Sequence, residues 1–356
     1  IAEMALGRHG GGDAVAAFAK ACARPVWRHA GWLSVVGCML ILSFYAVVAG
    51  WALKYFVGAA TGALWNKAAA GFGTYFTAFI GNGGEPLAWQ LAMLALSMFV
   101  VAGGVRKGIE AVNRVLMPLL AVCVIALAVY SATLDGASKG WRFLLVPDWS
   151  ALADSSVIVA AIGQAFFSLG IGMAVFVTYA SYLEPHTRIP RSAMAIAVGD
   201  TLFAIVAGLA IFPAVFAFGM DPQSGPQLAF ITLPQIFIAM PGGEVVGVAF
   251  FGLVVAAALT SMVSLLEVPV AAVLHRTRVG RRAAVAGVGA LIFVLGIPSG
   301  LSYGTLVDVT VFGLGVLDAV DRLVSNYLLP LGGILVCIYA GWHLARDRAL
   351  REAGLQ

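Results

Sequence analysis

Long uninterrupted runs of apolar residues, separated by short polar or glycine-rich loops, dominate the chain. An α-helix needs about 20 such residues to cross the hydrocarbon core of a bilayer. Eight segments approach or exceed this length: 31–53, 88–104, 115–134, 155–182, 193–218, 245–274, 283–302 and 309–343. The runs are continuous rather than alternating, and several far exceed the ~10 residues of a barrel strand. The pattern predicts an all-α integral membrane protein with these eight segments as transmembrane helices.

The composition agrees with this prediction. Hydrophobic residues make up 61% of the chain and charged residues only 11%, with a mean hydropathy of +0.97, whereas soluble domains carry about 25% charged residues. The four cysteines stand singly, without metal-binding or redox spacing, so we interpret them as packing residues. The sequence contains no HExxH, GxSxG or P-loop motif and no nucleic-acid-binding signature. We therefore expect neither enzyme activity nor nucleic-acid binding.

The positions of the basic residues predict the orientation in the membrane. Most of the 21 Lys and Arg residues lie before the first span or after the second, fourth, sixth and eighth. The exceptions are Lys54, Lys67, Lys139, Arg142 and Arg322. Because Lys and Arg accumulate in cytoplasmic loops, we expect both ends of this chain on the cytoplasmic side of the plasma (inner) membrane.

The loop at 219–243 lacks Lys and Arg and has an apolar core flanked by prolines, too short to cross a bilayer. We expect a helical hairpin that dips into the outer face of the protein. The hairpin is either a lid over an outer vestibule or a docked amphipathic loop, and the sequence favours neither.

The fourth span holds the sequence SLGIG near its centre, at residues 168–172. Glycine weakens a helix by roughly 1 kcal/mol relative to alanine. A break at this point would present carbonyl groups that can bind a cation and N–H groups that can bind a carboxylate. The alternative is that the small residues only let two helices pack closely. The span is longer than one crossing needs, which favours the break.

Polar residues inside other spans are candidates for a site, because polar groups are costly in hydrocarbon. Asp200 is either a functional carboxylate or one that reaches water near the cytoplasmic end of its helix. Thr260 and Ser261 either form an all-oxygen cage suited to Na⁺ or only bond back to the preceding turn. Tyr45 lies in the middle of its span and needs a partner for its hydroxyl group.

Acidic residues in two later spans have more ordinary explanations. For Glu267 we favour a structural role, in which it pairs with a backbone N–H freed by a local distortion, over a place in a proton path. Asp318 and Asp321 stand near the outer end of the last span, where their side chains can reach water.

Seven stretches resemble the neurotransmitter:sodium symporter family, especially its bacterial amino-acid carriers. They are SFYAVVAGWAL, GGVRKGIEAVNRVLMP, GQAFFSLGIGMAVFVTYASYLE, GDTLFAIVAGLAIFPAVF, FITLPQIFIAMPGG, AALTSMVSLLE and LGIPSGLSYG. In register with the family, the chain corresponds to the tail of its second helix followed by helices three to ten. The resemblance implies the inverted-repeat symporter bundle of the bacterial leucine transporter type, without the first helix, most of the second and the last two.

On this basis we expect a single transmembrane transporter domain over 1–356. The remainder of the first inverted repeat would occupy 31–134 and the second repeat 155–343, with an extracellular lid hairpin at 219–243. In this family the first helix supplies half of the site, so we expect the chain as given to be part of a longer protein and inactive by itself.

The resemblance implies two sodium sites. Ser168 corresponds to a ligand, through its hydroxyl or carbonyl group, of the sodium ion that also touches the substrate. Asp200 stands where relatives have an asparagine at the same ion, close to where chloride-dependent members bind chloride. A fixed carboxylate there implies chloride independence. Ala257, Thr260 and Ser261 correspond to the second sodium site.

The resemblance also implies a substrate site. Tyr45 corresponds to the tyrosine that hydrogen-bonds the substrate carboxylate, and Phe167 to an aromatic outer gate. Asp321 corresponds to the gate aspartate that pairs with an arginine of the missing first helix. Ser168 also belongs to the substrate site, and its side-chain pocket would be lined by Ile41, Gly170, Met173, Met262 and Leu265.

The sequence therefore predicts a symporter that couples Na⁺ to uptake of a neutral, hydrophobic amino acid by alternating access, with no cofactor besides the coupling ion. Its partners would be the amino acid, sodium ions and the lipid bilayer. A carrier of another small amine or osmolyte is an alternative, and so is a non-transporting receptor on the same scaffold. The sequence leaves the oligomeric state open.

Overall fold

The computed structural model describes residues 1–21, 27–66, 71–104, 111–184, 187–219, 222, 228–239 and 241–342. Several basic residues that we used to predict the orientation lie outside these ranges: Arg24, Lys67, Arg106, Lys107, Arg346, Arg348 and Arg351.

The described chain is almost entirely helical. Its α-helices are α1 Ala2–Gly10, α2 Ala14–Ala21, α3 Trp27–Ala60, α4 Phe72–Gly81, α5 Glu85–Ala102, α6 Ala111–Ala132, α7 Ala137–Leu145, α8 Ser155–Leu169, α9 Val175–Ala180, α10 Ile189–Ala217, α11 Leu233–Ala239, α12 Gly243–Arg276, α13 Arg281–Gly300, α14 Val316–Leu323 and α15 Leu329–Trp342. A 3₁₀ turn covers Trp149–Ala153, and π-helical segments cover Leu228–Thr232 and Val324–Leu328. Strand β1 Thr310–Val311 pairs antiparallel with β2 Leu314–Gly315.

Six helices of the described chain are long and apolar enough to cross a membrane, and each overlaps an expected span. They are Trp27–Ala60, Glu85–Ala102, Ile189–Ala217, Gly243–Arg276, Arg281–Gly300 and Val316–Trp342. The other two expected spans contain shorter apolar helices, Met117–Ala132 and Ser155–Leu169. The predicted all-α membrane architecture is confirmed, and the fourth span is not one continuous helix.

Helix α3 lies at the centre of the bundle and packs against α5, α12 and α13. Glycines bring these helices close together: Gly50 of α3 faces the backbone of Trp89 and Gln90 in α5, and Gly296 of α13 faces the Ser43 carbonyl of α3. A side chain at either glycine would overlap the neighbouring backbone, so small residues set these distances. The core formed in this way includes the fully buried Trp51.

The loop at 219–243 is described only in part, because residues 220, 221, 223–227 and 240 lie outside the described ranges. Its described residues form one helical segment from Leu228 to Ala239, of which α11 is the second half. Phe230 of this segment stacks on Phe76 of α4 at 5.4 Å and meets Tyr55 of α3 edge-on at 5.0 Å. The segment is thus anchored on α3 and α4 by aromatic contacts.

Candidate functional site

The fourth span is interrupted where the sequence predicted a break. Helix α8 ends at Leu169, and α9 begins at Val175. The intervening turn contains three residues with positive φ: Gly170 at 69°, Gly172 at 87° and Ala174 at 55°. Residues with a side chain rarely adopt this conformation, so the glycines are what makes the turn accessible to the chain. The predicted break is confirmed.

Hydrogen bonds at the break explain how it is maintained. The N–H groups of Gly170 and Ile171 cap the carbonyls of Phe167 and Phe166, at 3.2 and 2.9 Å. In a continuous helix the Gly172 N–H would bond the Ser168 carbonyl, four residues earlier. Here it donates to the side chain of Glu3 in α1 at 2.7 Å. The Ser168 carbonyl therefore loses its helical partner and becomes available to a ligand.

Sequence reasoning missed Glu3. The side chain is 5% exposed, and within the described chain no donor reaches its second carboxylate oxygen, Oε2. The available signal was a lone acidic residue in the apolar stretch IAEMALG, since a buried carboxylate needs a compensating partner. Its partner, Gly172, lies 169 residues away and could not be read from a local pattern.

Close packing, the alternative explanation for SLGIG, is also present. A Cβ atom at Gly172 would overlap the carbonyl oxygen of Leu329, and Gly332 and Gly333 of α15 lie equally close to the break. On the opposite side, Cys38 of α3 donates its thiol hydrogen to the Met173 carbonyl at 3.0 Å. The glycines therefore serve both purposes, allowing the turn and letting neighbouring helices reach it.

Two of the proposed sodium ligands meet beside the break. The Ser168 hydroxyl, in the last turn of α8, donates to the Asp200 carboxylate of α10 at 2.6 Å. Such a short bond is typical of a hydroxyl group donating to an ionised acceptor. The contact brings carboxylate and hydroxyl oxygens close to the freed Ser168 carbonyl, and hard oxygen donors of this kind suit Na⁺.

A second group of oxygens lies on α12. The Thr260 hydroxyl donates to the Ala257 carbonyl at 2.8 Å, in the back-bonding geometry that we considered as the alternative explanation. Ser261 follows directly and is exposed, and its side chain lies near the Tyr45 hydroxyl of α3. Within the described ranges there is no cluster of three or more His, Cys, Asp or Glu residues.

A cavity of about 540 Å³ lies between α3, α6, α10, α12 and the segment Leu228–Ala239. Its wall is mostly apolar and includes Phe203, Phe230 and Phe250, together with Tyr45 and Ala257 from the predicted site. The expected pocket residues Ile41, Met173, Met262 and Leu265 instead belong to the buried core beside the break. Their assignment to the substrate pocket stays a prediction.

Three acidic residues of the later spans, Glu267, Asp318 and Asp321, bond neighbouring side chains. Glu267 is completely buried and bonds the guanidinium group of Arg281 in α13 and the hydroxyl group of Tyr182. We expected a backbone partner for Glu267, and the structure corrects this to a side-chain ion pair. Asp321 accepts a hydrogen bond from Ser325 at 2.9 Å. Asp318 accepts one from Tyr303 at 3.2 Å, and burial together with this carboxylate raises the pKa of Tyr303 to about 12.

Of the remaining predicted residues, Phe167 and Gly170 lie at the break itself. Phe167 is half-buried in the last turn of α8 and packs against the core. Gly170 ends this helix, and the space beside it is open, since a Cβ atom there would meet no atom within 4 Å. A side chain at this position would have space but would require a strained positive φ, and the place of Gly170 in the substrate pocket stays a prediction.

Comparison with known proteins shows which family the chain is similar to. The profile of the sodium:neurotransmitter symporter family matches residues 75–352. The sodium-dependent transporter YhdH of Bacillus subtilis is 42% identical over 352 residues, which cover 99% of this chain and 78% of YhdH. A sodium-dependent transporter of Haemophilus influenzae is 32% identical, with 92% of this chain and 72% of the relative covered.

A solved structure is similar along the whole chain. The crystal structure of MhsT in complex with L-phenylalanine superposes with a TM-score of 0.94 at 48% sequence identity, covering 100% of this chain and 81% of MhsT. The relatives are transporters rather than enzymes and depend on sodium. The chain is a multi-pass membrane protein and belongs to the sodium:neurotransmitter symporter family.

Proposed function

We propose that the protein is a symporter that uses the sodium gradient to take up a neutral, hydrophobic amino acid by alternating access. The observation that carries the proposal is the helix break. There Glu3 accepts the hydrogen bond of the Gly172 N–H, and the Ser168 carbonyl is left without its helical partner beside the Ser168–Asp200 pair. A freed carbonyl, a hydroxyl and a carboxylate form a donor set for Na⁺.

The residues are assigned to two sodium ions and one substrate. Ser168 and Asp200 would bind the ion next to the substrate, and Ala257, Thr260 and Ser261 the second ion. Because Asp200 already carries a negative charge, transport would not require chloride. These assignments extend the family resemblance to this chain, and the hydrogen-bonded pairs Ser168–Asp200 and Ala257–Thr260 support them.

A hydrophobic amino acid is the substrate that the surroundings favour. Tyr45 would bind its carboxylate, and Phe167 and Asp321 would act as the outer gate. The cavity wall is mostly apolar, and a structure with 48% identity was solved with L-phenylalanine. Both termini of the chain would face the cytoplasm, and Leu228–Ala239 would act as an outer lid.

The test is binding of labelled L-phenylalanine to the purified full-length protein in NaCl, sodium gluconate and KCl. We expect saturable binding in both sodium salts and none in KCl, with competition by leucine but not by glutamate or lysine. Binding that is equal in KCl, or that occurs in neither sodium salt for any neutral amino acid, would contradict the proposal.

A further inference from the structure

The short helix α9 and the turn that follows it are attached to α12 through two tyrosines, Tyr179 and Tyr182. The Tyr179 hydroxyl donates to the Ser264 hydroxyl at 3.1 Å, and the Tyr182 hydroxyl donates to Glu267 at 3.1 Å. Each donor lies 85 residues before its acceptor, so Tyr179 of α9 and Tyr182 of the turn that follows it meet residues three apart on α12. Residues three apart share a helix face, and one face of α12 therefore receives both attachments.

The first of these contacts continues toward the proposed second sodium site. Ser264 donates its only hydroxyl hydrogen to the Thr260 carbonyl at 3.1 Å, and the Thr260 hydroxyl donates to the Ala257 carbonyl at 2.8 Å. All three hydroxyl groups donate in the same direction, from α9 toward Ala257. The bonds of Tyr179 and Ser264 are directly linked through the Ser264 hydroxyl and therefore orient one another, and they end on the backbone of Thr260, the residue whose hydroxyl makes the third bond.

We propose that Tyr179 and Ser264 are positioning residues that couple the attachment of α9 to the sodium affinity of the site at Ala257 and Thr260. The proposal rests on the function proposed above, because it requires this site to bind sodium. A serine that bonds back to the preceding turn bends its helix. Tyr179 fixes the orientation of Ser264, and Ser264 in turn sets the geometry of the turn that presents the Thr260 hydroxyl.

The coupling operates in both directions. Because the break at 170–174 separates α9 from α8, α9 can move relative to α12 without moving the rest of its span. Movement that separates Tyr179 from Ser264 weakens sodium binding, and bound sodium favours the attached position by the same factor, as linkage requires.

The second attachment makes the proposal testable, since Tyr182, Glu267 and Arg281 hold α9 and α12 together independently of Tyr179. Loss of one hydroxyl group therefore leaves the fold intact. Thr178 offers a matched control on α9, because its buried hydroxyl finds no partner among the described residues. Thr178→Val removes a hydroxyl group from the same helix at constant volume.

The experiment is a sodium titration of labelled L-phenylalanine binding to the full-length protein and to Tyr179→Phe, Ser264→Ala, their double variant, Ser264→Thr and Thr178→Val. We expect Tyr179→Phe and Ser264→Ala each to raise the half-saturating sodium concentration about fivefold, the value of one neutral hydrogen bond. The double variant should show no further increase, and affinity for the amino acid at saturating sodium should be unchanged. Ser264→Thr, which keeps the hydroxyl, and Thr178→Val should behave like the wild type.

Two outcomes would overturn the proposed coupling between Tyr179, Ser264 and the sodium site. An unchanged half-saturating sodium concentration in both single variants contradicts it, and so does a double variant whose effect is the product of the single effects. If the wild-type protein itself shows no sodium-dependent binding, the proposed function fails and the proposed coupling fails with it. If the wild type shows sodium-dependent binding and the variants have the same half-saturating sodium concentration, only the proposed coupling is overturned.

Discussion

The Ser168 hydroxyl donates to the Asp200 carboxylate at 2.6 Å, across two helices and 32 residues of sequence. The bond connects the last turn before the helix break to the only acidic residue of α10. Because Ser168 is also the residue whose carbonyl is released by the break, its two oxygens and the carboxylate converge on one region. This convergence is what a cation site without a cluster of acidic residues requires.

Replacement of Asp200 by asparagine tests the role of its charge. Asn keeps an acceptor for the Ser168 hydroxyl but removes the negative charge, and hydrogen bonds to charged groups contribute about 1.5–3 kcal/mol. We expect the half-saturating sodium concentration to rise about tenfold or more, and binding to become dependent on chloride. The measurement is labelled L-phenylalanine binding in NaCl and in sodium gluconate.

Asp154→Asn is the matched control for the loss of a carboxylate. Asp154 caps the N-terminus of α8 by accepting from the Ser156 N–H, and asparagine caps helices equally well. The control should retain wild-type sodium dependence. If Asp200→Asn binds equally well in chloride and gluconate, the idea that the carboxylate replaces chloride is wrong.

Thr260→Val should weaken sodium binding without disturbing the fold. Valine keeps the shape of threonine and removes the oxygen that bonds the Ala257 carbonyl, at a stability cost of about 1 kcal/mol. Loss of one ligand should raise the half-saturating sodium concentration about tenfold. Ser97→Ala is a suitable control, because Ser97 makes a comparable back-bond to Met93 in α5. Equal sodium curves for both variants would contradict a role for Thr260 in ion binding.

The two glycines of the break should respond differently to alanine. Both have positive φ, which costs a non-glycine residue about 1–2 kcal/mol. At Gly170 a Cβ atom meets nothing within 4 Å, whereas at Gly172 it overlaps the Leu329 carbonyl. We expect Gly170→Ala to fold with a modest decrease in Tm and Gly172→Ala to yield little folded protein. Thermal unfolding in detergent distinguishes them, and equal Tm values would show that α15 can move away from the break.

Whether a feature of this structure can be predicted from the sequence depends on how far apart in the chain its interacting residues lie. The spans follow from continuous apolar runs, and the break follows from SLGIG, because both are properties of neighbouring residues. The pairing of Ser168 with Asp200 could be expected only through the family resemblance. The contact of Glu3 with Gly172 connects residues 169 apart, and a single sequence without related sequences contains no signal for such a contact.

Glu267 illustrates the same limit. Its burial could be expected from its position within an apolar span, but its partner could not. Arg281 looked like one of several cytoplasmic arginines that orient the protein, and only the packing of α12 against α13 brings it to Glu267. Charge patterning assigns residues to a side of the membrane, whereas ion pairing requires the tertiary arrangement.

Removal of Arg281 should strongly destabilise the protein. Arg281→Met leaves Glu267 completely buried without its cation, and breaking a buried pair in this way costs about 3–5 kcal/mol. The double variant Glu267→Met, Arg281→Met removes both charges and should recover most of the lost Tm, because a buried ion pair can be replaced by apolar residues at little net cost. A double variant no more stable than Arg281→Met would indicate that these residues do more than neutralise each other.

Glu3 should be required for the break, and two substitutions separate its charge from its hydrogen bond. Glu3→Gln keeps a carbonyl oxygen for the Gly172 N–H, and its amide group replaces the unpartnered Oε2. Glu3→Leu removes the acceptor, so that the Gly172 N–H is free to bond the Ser168 carbonyl and extend α8. We expect Glu3→Gln to bind sodium like the wild type and Glu3→Leu to lose sodium-dependent L-phenylalanine binding. Met4→Leu, a volume-conserving change at a buried neighbour, controls for packing of α1. Wild-type sodium dependence in Glu3→Leu would mean that the glycines maintain the break without help from α1.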